Sequence, residues 1–313
     1  MIGCCSGLMQ RVDRFLFASC SPATCVLLRV AYAALLLIYV SVWSLDAVRW
    51  FSDVGVLHVD TARTLSQGPS WALFFWLPAT PTMVKVCLAI LGIQSLCLLL
   101  GIGSRFQAAC IFLWLVSFQS RNSLIADRED DVFRVFAFCL MFMPLDHAWS
   151  LGKRWWPQLY RRLTREANAG PTAAAVRDQA AAWGLRLLQI HLTLMYLSAA
   201  ASKWLGVAWR DGSALFYVYQ MDNLFGRGPL PEMITQSDHL IRLATWSVLV
   251  VETALPFALW YRRTRVAAVV LGIGLHLSIE YTMHLFLFQW IMVISLLSFI
   301  DLPSRTASKP KSA

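Results

Sequence analysis

Long apolar runs separated by short polar connections organise this 313-residue chain. An α-helix needs about 20 apolar residues to cross a hydrocarbon core. Windows of that kind recur about eight times, at residues 25–45, 81–101, 105–123, 131–148, 183–204, 240–260, 265–282 and 284–301. The pattern predicts an all-α fold, a polytopic transmembrane helical bundle of about eight spans. The third and fourth windows are crowded by polar residues at both ends. A faint internal echo is also present. Tyr39 is followed by Asp46 and Trp50, as Tyr196 is followed by Lys203 and Trp209. Ser104-Arg105 returns as Thr264-Arg265, with Gln94 and Glu252 upstream. A true repeat would make two parallel four-helix halves; chance explains the echo equally well in so apolar a chain.

Composition supports the membrane assignment. The chain is 58% hydrophobic and 14% charged, with mean hydropathy +0.57, where soluble domains carry about 25% charged residues. A net charge of +9 would suit nucleic acid, but its distribution reads as topology, and no nucleic-acid partner is expected. Arg11 and Arg14, the run from Lys153 to Arg177, Arg262, Arg263 and Arg265, and Arg305, Lys309 and Lys311 all fall on one side of an eight-span chain. The positive-inside rule makes that side cytoplasmic, with both termini inside and the protein in the cell's inner (plasma) membrane. The expected organisation is a cytoplasmic segment 1–24, a transmembrane domain 25–301 with a cytoplasmic linker at about 149–182, and a basic tail 302–313.

The opposite face gathers Asp46, Asp53, His58, Asp60, the cluster Asp127 to Asp131, Lys203, Asp211, Asp222 and Glu232. Its two longer loops, about 46–80 and 205–239, hold aromatic residues such as Trp71, Trp76 and Tyr217. The chemistry is therefore expected outside. Eight cysteines show no C-x-x-C or Cys/His ligand spacing, so no metal is expected. They read as inert apolar residues, with lipidation of Cys4 or Cys5 a minor alternative. The first 24 residues lack the cleavage pattern of a signal peptide.

Ionisable groups in apolar runs are functional candidates by default, because each costs about 2.5–3.5 kcal/mol to insert. Glu252, in LVVETALPFAL, and His276, in LGIGLHLSIEY, are the clearest. Each has a structural reading beside the functional one. Glu252 serves equally as a helix–helix anchor near Pro256, and His276 as a hydrogen-bonded bundle residue. Lys203 ends an apolar helix after the small run Ser198 to Ala201. It is either a snorkelling interfacial lysine or, if partly buried, a base. Asp130 and Asp131 open a helix as DREDDVFR, where carboxylates suit the dipole and pair with Arg134. Arg121 and Asn122 end the preceding window and are placed to face this acidic cluster.

The ordered set SRNSL, DDVFRVFAFCLMFMPLDHAWSL, YLSAAASKWLGVAWRDGSAL, VVETALPF and GIGLHLSIEY resembles the HTTM domain family. That family includes the membrane part of vitamin K-dependent gamma-carboxylase and short bacterial relatives. The resemblance covers most of the chain and implies Lys203, Glu252 and His276 as catalytic residues. Lys203 would be the base on a vitamin K-like hydroquinone. The substrate-binding residues would be Trp209, Asp211, Asp130, Asp131, Arg121 and Asn122. Ser202 stands where the carboxylase has a second lysine, and Glu129 or Asp130 where it has a histidine. The chain ends about a dozen residues past the last window, without the carboxylase's large lumenal domain, so carboxylation of protein glutamate is set aside.

Two functions therefore stand open. One is a carboxylase-like membrane enzyme acting on a quinol-like or peptide substrate, with membrane lipid around it. The other is a non-catalytic maturation or export factor for a small secreted peptide, acting with an accessory protein. The residues alone do not decide whether catalysis occurs.

Overall fold

The computed structural model describes residues 2–17, 20–65, 72–146, 149–158, 171–221 and 235–303, with side chains omitted for 2–6, 8 and 171–182. Trp71, Asp222, Glu232, the tail residues Arg305, Lys309 and Lys311, and the linker arginines Arg161, Arg162 and Arg165 lie outside the described residues, as do the side chains of Cys4 and Cys5. The described residues are helical, in the order α1 Ile2–Phe17, α2 Pro22–Leu45, α3 Ala47–Phe51, α4 Val59–Leu65, α5 Pro81–Leu100, α6 Ser104–Arg121, α7 Arg128–Leu140 and α8 Leu151–Trp155. The chain continues with α9 Pro171–Leu205, α10 Val207–Arg210, α11 Ala214–Gln220, α12 Asp238–Ala258, α13 Arg265–Thr282 and α14 Phe288–Leu296.

Four of these, α2, α5, α12 and α13, are long and apolar enough to cross a membrane. They coincide with four of the expected windows. The others differ for local reasons. α6 has the length, but carries Arg105, Gln107, Gln119 and Arg121. α7 stops at Leu140 rather than running on to 148, because Met141 to Met143 turn and Pro144 follows. α14 has only nine residues before a 3-10 turn, Leu297–Phe299.

The chain divides into two compact units, Met1–Leu187 with Asp301–Ala313, and Leu188–Ile300. In the first, α2 packs along α5, α5 along α6, and α6 along α7. Thr80 caps α5 ahead of Pro81, and Gly101 closes it at φ 73°, where a side chain would be strained. A Cβ there would also lie 2.4 Å from Arg29 Nη1. Arg29 is fully buried and donates to the carbonyls of Leu145 at 3.0 Å and Trp149 at 2.7 Å. Tyr32 stacks on Phe136 and Tyr39 on Phe133, with centroids 4.8 and 4.7 Å apart. Lipid is as apolar as these rings, so shape and hydrogen bonding, not expulsion from water, hold the helices together.

In the second unit, α12 packs on α13 and on the short α11, and α13 packs on α14. Gly272 permits the last contact: a Cβ there would meet Leu296 Cδ1 at 2.9 Å. The described part of α9 presents a buried stripe, Leu188, Leu192, Tyr196 and Ala200, at every fourth position. Leu243, Val250, Phe257, Val266 and Val270 are exposed on α12 and α13, the surface that a bilayer would cover.

Candidate functional site

The second unit places the three expected catalytic residues in two bonded groups, Lys203 with Glu252, and His276 with Tyr196 and Gln289. Lys203 stands at the end of the α9 stripe, seven positions after Tyr196. The buried positions of α12 are Ile241, Thr245, Leu249, Glu252 and Leu255. Their spacing of three and four puts Glu252 on the inward face. The Lys203 ammonium donates to Glu252 Oε2, forming an ion pair with side chains 20% and 9% exposed. The next residue on each helix repeats the register: Trp204 Nε1 donates to Thr253 Oγ1 at 3.0 Å. The short α10 brings the Trp209 ring to 5.1 Å from Lys203 Nζ, a cation–π contact.

His276 lies on the buried face of α13 and is 4% exposed. Its Nε2 is 2.7 Å from the Tyr196 hydroxyl, and its Nδ1 is 2.5 Å from Gln289 Oε1 on α14. His276 lies within electrostatic reach of Lys203, and Tyr196 within that of Glu252. Glu280, one turn along from His276, accepts from Trp290 Nε1 at 3.2 Å. The four helices thus supply an amine paired with a carboxylate, and a phenol, an imidazole and an amide bonded in sequence.

Asp211 is exposed and takes another part. It accepts from the backbone N–H of Ser213 at 2.9 Å and from its hydroxyl at 2.6 Å, beside Gly212 at φ 85°. Those bonds hold its carboxyl below the usual carboxylate range. It shapes the turn that follows Trp209.

The remaining expected residues belong to the first unit. Asp127 accepts from the Arg128 N–H at 2.7 Å, and Asp130 Oδ2 accepts from the Asp127 N–H at 2.9 Å, a reciprocal cap on α7. Tyr39 donates to the other oxygen of Asp130. Asp131 pairs with Arg134, which also donates to Gln119 Oε1 at 3.0 Å. Burial pushes the Glu129 carboxyl up to about 7 and that of Asp130 to about 6.

Arg121 and Asn122, expected to face the acidic cluster, make their hydrogen bonds to backbone carbonyls of an earlier segment. Arg121 is fully buried, and its Nη2 donates to the carbonyls of Ser52 and Leu57, each at 2.7 Å. Asn122 Nδ2 donates to the Trp50 carbonyl at 2.9 Å. Ser52 and Leu57 lie in the irregular segment after α3, where the Ser52 carbonyl also accepts from the Gly55 N–H at 3.3 Å, and the two hydrogens of one guanidinium nitrogen reach both carbonyls at once. Asp46, the counterpart of Lys203 in the internal echo, is exposed at the junction of α2 and α3.

Two members of the site were not singled out from sequence. Tyr196 served there only as the start of a motif. Gln289 is the lone amide in the apolar run LFLFQWIMV, a signal of the same kind as Glu252. Among the described residues, no group of three or more His, Cys, Asp or Glu side chains could hold a metal ion.

A family model described as the HTTM domain matches residues 17–302, nearly the whole chain. No curated protein and no solved structure matches.

Proposed function

The chain belongs to the HTTM domain family, and from that premise we propose that it is a membrane enzyme in which Lys203 abstracts a proton. The substrate is a quinol-like or peptide molecule reached from the bilayer or the outer face. The observation that carries this reading is the ion pair of Lys203 with Glu252 on apolar helices. A lysine that merely snorkels needs no counter-ion. Transfer of the ammonium proton to the carboxylate turns the charged pair into a neutral amine beside a carboxylic acid. A low-dielectric site tolerates that neutral form well. The amine is then a usable base at neutral pH.

Lys203 Nζ takes the proton of a substrate O–H, which becomes the oxyanion beside the re-formed ammonium, while Glu252 keeps the proton it received from Lys203. Trp209 offers its ring face to the ammonium and to a flat substrate. His276 and Tyr196 complete the polar wall. The resemblance to the gamma-carboxylase membrane domain favours a hydroquinone of the vitamin K type, whose oxyanion then reacts with oxygen. On this reading the protein lies in the plasma membrane as a multi-pass chain with both termini cytoplasmic, and the site opens on the other side.

The test is to reconstitute the protein in lipid nanodiscs with a reduced naphthoquinol under air and to measure the epoxide. Wild type forms it; Lys203→Arg, still charged but no base, does not. Full epoxide formation by Lys203→Arg sinks the base assignment. No epoxide from wild type, combined with full function of Lys203→Arg in cells, leaves the protein as a non-catalytic maturation factor for a secreted peptide and its accessory protein.

A further inference from the structure

We infer that Gln289 is a positioning residue that fixes the tautomer of His276 and so makes the Tyr196 hydroxyl a donor to the imidazole. The inference deepens the proposed site, whose polar wall holds His276 and Tyr196, by adding Gln289, a residue with no role assigned above. Tyr196, His276 and Gln289 are 3%, 4% and 2% exposed, so water does not set their protonation pattern. A buried amide oxygen can only accept. Gln289 Oε1 faces His276 Nδ1 at 2.5 Å, so Nδ1 carries the hydrogen. A neutral imidazole has one N–H only, which leaves Nε2 bare. The group that faces Nε2 at 2.7 Å is the Tyr196 hydroxyl, which must therefore donate to it.

The chain of bonds has one direction as a result. Tyr196 O–H points at His276 Nε2, and His276 Nδ1–H points at Gln289. With its hydrogen committed, the Tyr196 oxygen offers only lone pairs to its remaining neighbours. With the opposite tautomer, His276 Nε2–H would donate to Tyr196, and the phenol hydrogen would be released from the imidazole. The fold supplies the needed geometry. Gln289 sits in the first turn of α14, and the chain reaches it through Phe286 at φ 45°, a reversal after α13.

The experiment reads the tautomer directly. Histidine-labelled protein in lipid bilayers is studied at pH 8 by solid-state nitrogen NMR, with the His276 signals identified by their loss in His276→Gln. Wild type shows the proton on Nδ1. Gln289→Leu loses that signal from most molecules in favour of Nε2–H, while Gln289→Glu, whose oxygens also accept, retains it. Tyr196→Phe leaves the Nδ1–H signal in place, which keeps the test open should Gln289→Leu fail to fold. A wild-type His276 protonated on Nε2, or an unchanged tautomer in folded Gln289→Leu, overturns the inference. The readout does not involve Lys203, so activity in Lys203→Arg with the expected tautomer refutes only the base reading.

Discussion

The Lys203 ammonium takes its counter-ion from Glu252, a residue of another helix, and the neighbouring Trp204–Thr253 bond keeps the two helices in that register. The pair is polar, directional and shielded from water. Its strength therefore depends on both partners being present.

Removing one partner is expected to cost more than removing both. Glu252→Leu strands the ammonium and should destabilise the protein by about 2–4 kcal/mol. Lys203→Met combined with Glu252→Leu should recover at least half of that loss. Thermal unfolding of the two single variants and the double variant in one detergent measures the coupling. Additive losses would mean that the contact contributes nothing of its own.

Gly272 is expected to tolerate little. An alanine methyl would press on Leu296 Cδ1, the end of a flexible side chain, and should cost about 1 kcal/mol. Gly272→Leu has no such escape and should cost about 3 kcal/mol. Folded yield and unfolding midpoint give the answer. A stable Gly272→Leu would show that α13 and α14 have room between them.

Arg121 organises the irregular segment that follows α3. Arg121→Met leaves the Leu57 carbonyl without this donor and the Ser52 carbonyl with the Gly55 N–H alone, and should cost about 1–3 kcal/mol. Arg121→Lys should recover little, because a single ammonium lacks the planar fork. Limited proteolysis provides the local readout, with faster cleavage expected between residues 52 and 65. Cleavage confined to other segments would contradict this role.

Glu129 predicts a pH dependence with a definite sign. Its folded carboxyl keeps its proton up to about 7, against an ordinary value of 4.5. The folded state therefore binds more protons than the unfolded state between these values, and stability falls as pH rises through them. The loss is on the order of 2–3 kcal/mol between pH 4 and 8. Asp130, pushed up to about 6, adds in the same direction. Glu129→Gln should flatten the curve of unfolding midpoint against pH. An unchanged slope in that variant would show the carboxyl to be solvated.

The sequence revealed more of the site's members than of their partners. Lys203, Glu252 and His276 stood out because each is an ionisable group in an apolar run, and burial on a helix face follows from spacing. Which helix faces which does not follow from spacing, so the Lys203–Glu252 pair was not foreseeable. Gln289 escaped because an uncharged amide is cheaper to insert than a carboxylate and attracts less notice. Arg121 was misdirected for a different reason. The acidic cluster nearby suggested a charge partner, whereas backbone carbonyls from an earlier segment satisfy a buried guanidinium equally well. In the fold, the strongly apolar windows 25–45, 81–101, 240–260 and 265–282 matched helices fit to cross a membrane. The window 131–148 did not form one continuous helix, because hydropathy averages over a turn that Pro144 enforces.

The wide spacing in sequence of Lys203 and Glu252, 49 positions apart, bears on how the protein is made. At about 5–20 residues per second, translation delivers Glu252 roughly 2–10 s after Lys203. During that interval α9 carries a positive charge with no counter-ion, and the end of the helix must stay near the aqueous boundary. The arrival of α12 neutralises the charge and lets that end settle against its neighbour. Formation of the pair therefore waits on the synthesis of α12.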